Sequence, residues 1–164
     1  MNEFLVRRIK EYILKLTFRE ATAVDLPLLV DMLADDGLGV QREDTSPLNQ
    51  AYLSAFSRIT SDPNNELVVV EIKNKIVGML QLTFIPYLTH IGSWRCLIEG
   101  VRIHSNFRGQ SLGTKFFELA INRAKEKGCN MIQLTSDKQR PDAIRFYESL
   151  GFKATHEGFK LKLH

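Results

Sequence analysis

The chain has 164 residues, of which 44% are hydrophobic and 25% charged, with a formal net charge of +3. That length suits a single domain, 1–164, able to bury a core without staples, and the composition excludes a disordered or low-complexity chain. A charge this small gives no ground for a nucleic-acid partner, and no apolar run is long enough for a signal peptide or a membrane span.

Residues 1–13 read as a short amphipathic lead-in, with Leu5, Ile9 and Ile13 at helical spacing among Arg7, Arg8, Lys10 and Glu11. Leu14 to Glu20 reads as a first strand. Asp25-Leu26-Pro27 opens a helix whose apolar stripe is Leu28, Leu29, Met32 and Leu33, and Asp35-Asp36-Gly37 ends it. A polar loop to Pro47 leads to a second helix from about Leu48 to Ile59. Glu66 to Ile72 and Ile76 to Phe84 form an antiparallel hairpin about Lys73-Asn74-Lys75. Tyr87 to Trp94 is irregular, and Leu97 to Ile103 is a strand. Leu112 to Lys127 is a helix with Phe116, Leu119, Ala120 and Arg123 on one face, stopped by Gly128. Met131 to Thr135 is a strand, Pro141 to Leu150 a helix, and Phe152 to Thr155 and Phe159 to Leu163 are two closing strands. The order predicts an α/β (α+β) domain with a mixed, mostly antiparallel sheet of six to seven strands and about four helices.

The chemistry concentrates in Leu97 to Lys115, where a strand enters a Gly-containing loop that opens the long helix. Loop N–H groups converging with a helix N-terminus make an anion site suited to a pyrophosphate, with Arg108 adding charge, and Lys115 too if it turns to the loop. The spacing matches neither GxxxxGK[ST] nor GxGxxG. Alternation places Leu97, Glu99, Val101 and Ile103 on one face. A carboxylate on an otherwise apolar face is costly without a use, and burial would raise its pKa toward neutrality, as a general base requires. A structural ion pair of Glu99 with Arg102 or Arg95 is the competing reading. Tyr147, on a helix face with Ala143, Phe146 and Leu150, reads by itself as a core aromatic.

The loop Arg108-Gly109-Gln110-Ser111-Leu112-Gly113 and the helix Ala143-Ile144-Arg145-Phe146-Tyr147-Glu148-Ser149-Leu150-Gly151-Phe152 resemble two motifs of the GNAT superfamily of N-acetyltransferases. The first follows Arg/Gln-x-x-Gly-x-Gly/Ala with Ser111 where the family usually has Gly. The second follows A-x-x-F-Y-x-x-x-G-F at every fixed position, with Arg140 about where the family's usual Asn would stand. The resemblance implies a GNAT-type fold and direct transfer of an acetyl group from acetyl-CoA, as co-substrate, to a primary amine. The amine is a small molecule in preference to a protein. The same resemblance implies acetyl-CoA contacts from Val101, Ile103, Arg108, Gly109, Gln110, Ser111, Leu112, Gly113, Thr114 and Phe146. Thr135 and Ser136 would line the far side of the wedge that takes the pantetheine arm. The backbone near Val101 would polarise the thioester carbonyl, Glu99 would act as base and Tyr147 would protonate the departing thiolate.

The acidic cluster Asp35, Asp36, Glu43 and Asp44 lies where the family forms its acceptor pocket, and reads either as a trap for a cationic amine or as a solvated helix end. Trp94, Tyr87 and Phe84 are further candidates to line that pocket. Neither the four histidines nor Cys96 and Cys129 have metal-ligand spacing, so no metal is expected; the isolated cysteines suit the cytoplasm. Terminal strands and sheet edges leave room for a homodimer. The alternative function is a non-catalytic CoA-binding or interaction module retaining the fold. A third reading, nucleic-acid association, rests on Lys125, Lys127, Lys138 and Arg140.

Overall fold

A computed structural model describes residues 16–35, 39 and 42–163. The N-terminal lead-in, Asp36, Gly37 and His164 lie outside the described residues. The chain divides into two compact units between Gln133 and Leu134.

The first unit is built on a sheet. The sheet's strands are β1 (Leu16–Glu20), β2 (Asn65–Ile72), β3 (Lys75–Pro86), β4 (Trp94–Ile103) and β5 (Met131–Leu134), whose last residue begins the second unit, in the order β1-β2-β3-β4-β5. The first four pair antiparallel. The Asn130 N–H donates to the Trp94 carbonyl at 2.9 Å, so β5 starts beside the start of β4 and runs parallel to it. A helical crossover between two strands of one sheet requires that direction. The sheet is therefore mixed, as expected, but has five strands. Lys73 and Asn74, both at positive φ (51° and 61°), close the β2–β3 hairpin in a two-residue turn whose twist matches that of the strands.

Helices α1 (Leu26–Ala34) and α2 (Gln50–Ser61) serve one sheet face, where Leu29 and Met32 of α1 meet Leu67, Val69 and Met79, with Phe56 and Ile59 of α2 packed alongside. Asn49 caps α2 by accepting from the Ala51 N–H at 2.9 Å. Helix α3 (Leu112–Glu126) packs on β3 and β4 and buries Leu112, Phe116, Phe117, Ala120 and Ala124. Phe116 sits directly over Gly78, where a Cβ would lie 2.1 Å from the ring. At its far end Arg123 clamps the buried Glu66 of β2 with contacts of 2.6–3.0 Å, so this carboxylate is paired and not orphaned.

The second unit carries α4 (Pro141–Ser149) and the C-terminal segment. The two closing strands expected over 152–155 and 159–163 do not form. Phe159, Leu161 and Leu163 alternate as a strand should, yet are 94%, 86% and 79% exposed. A period of two makes a strand only where a neighbour supplies the hydrogen-bond ladder, and among the described residues none does. Thr89–Gly92, expected to be irregular, is a single turn in which His90, Ile91 and Gly92 all have positive φ.

Candidate active site

Strand β4 carries the first candidate. Met79 pairs with Arg102 and Gln81 with Glu99, so Leu80 faces two residues, Gly100 and Val101. This is a β-bulge, and Gly100 takes the positive φ (59°) that such an insertion favours. The bulge changes the side-chain phase. Glu99 and Arg102 both point to the face carrying Leu67, Val69 and Met79, whereas Ile103 pairs with Gly78 on the α3 face. Glu99, Val101 and Ile103 therefore do not share one face, as strict alternation predicts. Glu99 is also exposed, so the desolvation expected of an apolar face is missing. It forms no ion pair with Arg95 or Arg102, and no other hydrogen bond or ion pair, among the described residues.

The bulge weakens the β3–β4 ladder locally, and β5 ends early. The edge of β4 that faces β5 is covered only in part, since β4 has ten residues and β5 four. Such an edge can pair with an extended polar chain.

The loop after β4 begins with a short 3₁₀ turn, Ser105–Phe107, in which His104 Nδ1 accepts from the Asn106 N–H at 3.3 Å. Gly109 (φ 74°) and Ser111 (φ 60°) then turn the chain into α3. The left-handed position of Ser111 is one that glycine fills without strain, which accounts for the usual residue there. Ser111 is the N-cap residue, yet its side chain makes no capping bond. The first N–H groups of α3, from Leu112, Gly113 and Thr114, are thus left for another acceptor. Gln110 Nε2 donates to the Asn106 carbonyl at 3.2 Å and braces the loop. A Cβ at Gly109 would meet nothing within 4 Å, so the approach to the loop is open.

Arg108 does not point freely at this loop. Its Nη2 donates to the Asp35 carboxylate at 2.8 Å and to the Asp35 carbonyl at 2.9 Å, and its Nε donates to the Ile103 carbonyl at 3.0 Å. Lys115 is paired with Glu118 at 2.7 Å and does not turn to the loop. Asp35 is thereby a partner that sequence reading missed; it was visible only as one acid in a cluster.

The rest of that cluster is engaged as well. Glu43 accepts from Tyr52 Oη at 2.8 Å and from Arg42, and the Tyr52 hydroxyl in turn accepts from the Asp44 N–H at 3.1 Å. Burial raises the Glu43 carboxyl, but the bonds from Arg42 and Tyr52 outweigh it and hold it below its ordinary range. Asp44 accepts from Asn49 at 3.3 Å. Asp36 lies outside the described residues. The three described acids, Asp35, Glu43 and Asp44, are thus each bonded within the protein. Of the aromatic candidates, Phe84 is core, while Tyr87 and Trp94 are half-buried.

Tyr147 belongs to the second unit. It is half-buried on α4, with ring centroids 5.6 Å from Phe146 and 6.3 Å from Phe152. The Phe152 N–H donates to the Tyr147 carbonyl at 3.1 Å, which ties the helix end to the residue that follows Gly151. Thr135 is exposed, and the Ser136 hydroxyl is buried without a hydrogen-bond partner. Cys96 is fully buried, and burial pushes its thiol up to about 12; Cys129 is raised by the same cause. Neither is a ready nucleophile.

The family model described as the acetyltransferase (GNAT) family matches residues 30–152. The chain is 29% identical over 110 residues to an aminoalkylphosphonate N-acetyltransferase of Salmonella typhimurium, covering 67% of this chain and 71% of that protein. A crystal structure from Bacillus halodurans C-125, described as a transcriptional regulator, superposes with a TM-score of 0.87 at 59% identity, over 90% of this chain and 99% of the other. A Clostridium acetobutylicum structure, described as a predicted acetyltransferase with acetyl-CoA, superposes with a TM-score of 0.70 at 23% identity, over 90% and 96% of the two chains.

Proposed function

The chain belongs to the acetyltransferase (GNAT) family, and on that premise we propose that it transfers an acetyl group directly from acetyl-CoA to the primary amine of a small molecule. The observation that carries this reading is Ser111: a left-handed N-cap whose side chain leaves the first N–H groups of α3 unclaimed, after a strand β4 that the shorter β5 covers only in part. That pairing suits a pyrophosphate on the loop and an extended arm along the strand.

When bound, acetyl-CoA supplies the activated acetyl thioester. The N–H groups of Gly109 to Thr114 hold its phosphates, with Phe146 and the β4 edge at Val101 and Ile103 as further contacts. Arg108, anchored to Asp35 and Ile103, fixes the loop and adds positive charge. Glu99, directly or through a water, takes a proton from the incoming ammonium so that the amine can attack. A backbone N–H near Val101, at the bulge, donates to the carbonyl oxygen as negative charge develops there. Tyr147 gives its proton to the sulfur. A general acid or base at such a site usually contributes about 10²–10⁴-fold, and positioning of the two substrates contributes much of the rest.

The acceptor is taken as a small amine because the Salmonella relative is named for one. We place the protein in the cytoplasm, acting as one acetyltransferase domain. Cys96 and Cys129 are free thiols, and no described helix is long and apolar enough to cross a membrane. A second reading, a non-catalytic CoA-binding regulator, is favoured by the description of the Bacillus halodurans structure.

Calorimetry of acetyl-CoA with wild type and an Arg108→Ala, Gly113→Trp double variant tests the cofactor site. An amine panel read by CoA release, with Glu99→Gln and Tyr147→Phe, tests the chemistry. Binding that is lost in the double variant, with turnover that collapses in the single variants, supports the enzyme. Binding without turnover of any amine favours the regulator, and no binding removes both readings.

A further inference from the structure

The β4 side of the sheet face that bears Glu99 holds a row of cross-strand pairs: Gln81 with Glu99, Thr83 with Leu97 and Ile85 with Arg95. The bulge lies beyond Glu99, so alternation is unbroken across this row and all six side chains share the face. Arg95 and Glu99 are four residues apart, about 13 Å along the strand, with the half-buried Leu97 between them.

Two charges on this row have no ion pair or hydrogen bond among the described residues. Glu99 is exposed and makes no ion pair or hydrogen bond. Arg95 is half-buried and makes no ion pair; its Nε is buried without an acceptor, and its guanidinium carbon lies 5.1 Å from the centroid of the Tyr87 ring. The guanidinium is steadied on an aromatic ring, and its terminal N–H groups meet no protein acceptor among the described residues, an arrangement that an anionic ligand would satisfy. The neighbouring acids contrast with this, because Asp35, Glu43 and Asp44 already have partners.

We propose that Arg95 is a specificity-determining residue and that the acceptor is an amine carrying a carboxylate, phosphonate or phosphate at its far end. The anionic group lies on Arg95 beside Tyr87, the alkyl stretch crosses Leu97 and Thr83, and the ammonium lies at Glu99. The inference rests on the reading of Glu99 as the group that receives the amine. It commits the site to a zwitterionic substrate, since a simple alkylamine would leave Arg95 unsatisfied and a diamine would place a second cation against it.

Equilibrium titration of 6-aminohexanoate, hexylamine and hexane-1,6-diamine, with and without CoA, tests this without depending on turnover. For the wild type, 6-aminohexanoate should bind at least tenfold more tightly than hexylamine. Arg95→Gln should remove that preference while hexylamine binding is retained, and Arg95→Lys should restore part of it. Arg95→Glu should move the preference to the diamine, a gain that a merely damaged fold does not produce. Equal binding of 6-aminohexanoate and hexylamine, a preference that survives Arg95→Gln, or binding of neither probe overturns the inference. Acetyl-CoA binding with turnover of some other amine would at the same time leave the acetyltransferase reading standing.

Discussion

Arg108 and Asp35 stand 73 residues apart in the sequence and are joined by two contacts from one nitrogen, 2.8 Å to the carboxylate and 2.9 Å to the carbonyl. The pair ties the end of α1 to the loop that opens α3. Both side chains are about half exposed, 47% and 50%, so the ion pair itself contributes at most about 1 kcal/mol. Its consequence is for anion binding. An Asp35→Asn variant removes a negative charge beside the proposed phosphate site and releases the guanidinium from a competing carboxylate. Acetyl-CoA should then bind about threefold more tightly, an effect of the size expected for an exposed pair. Arg108→Ala should weaken binding by about tenfold, as loss of a charged hydrogen bond does. Calorimetry at low and high salt checks both, and an Asp35→Asn variant that binds as poorly as Arg108→Ala would show that the carboxylate serves to position the arginine.

Ser111 holds a left-handed conformation at φ 60° and makes no side-chain capping bond in return. A non-glycine residue in that region costs about 1–2 kcal/mol, of which the added chain freedom of glycine takes back a part. Ser111→Gly should therefore raise the unfolding free energy by about 0.5–1 kcal/mol with an unchanged urea m-value. A drop in stability would mean that the hydroxyl has a role in the loop that outweighs its backbone strain.

Gly78 is the reverse case, a glycine required by contact. The Phe116 ring and the Arg102 carbonyl occupy the space that a Cβ would need. Since Phe116 is fully buried and has no room to withdraw, Gly78→Ala should destabilise by about 1–3 kcal/mol, the usual cost of overpacking. Urea denaturation measures it, and an accompanying Phe116→Leu should recover part of the loss.

Asp25 is a buried acid with a stated pH signature. The hydrogen bond from Arg19 lowers its carboxyl, burial opposes that, and bonds from the Thr22 N–H and hydroxyl add to the lowering, leaving it at about 2 against an ordinary 3.8. The folded state therefore favours the ionised form. The stabilisation is complete above about pH 4 and disappears as pH falls through about 2, and it is on the order of 2 kcal/mol. Asp25→Asn should be less stable than wild type by about that amount near pH 6, and the gap should close toward pH 2. A gap that stays constant with pH would assign the loss to packing or capping instead of charge.

Local rules made much of this protein legible from its sequence alone. The long helix from Leu112, the turn at Lys73-Asn74, the loop Arg108 to Gly113 and the start of α4 at Pro141 are set by periodicity, capping and turn chemistry within a few residues. The family pattern at the loop and at Phe146-Tyr147 is read in the same way. Tertiary structure decided what depends on partners distant in the chain. The bulge at Gly100 put Glu99 and Arg102 on one face and sent Ile103 to the other, because β3 sets the register of β4. Arg108 found Asp35, Glu43 found Tyr52 and Arg42, and Asp44 found Asn49. The alternating Phe159, Leu161 and Leu163 did not become a strand, because alternation declares two faces but cannot supply the neighbouring backbone that a ladder needs.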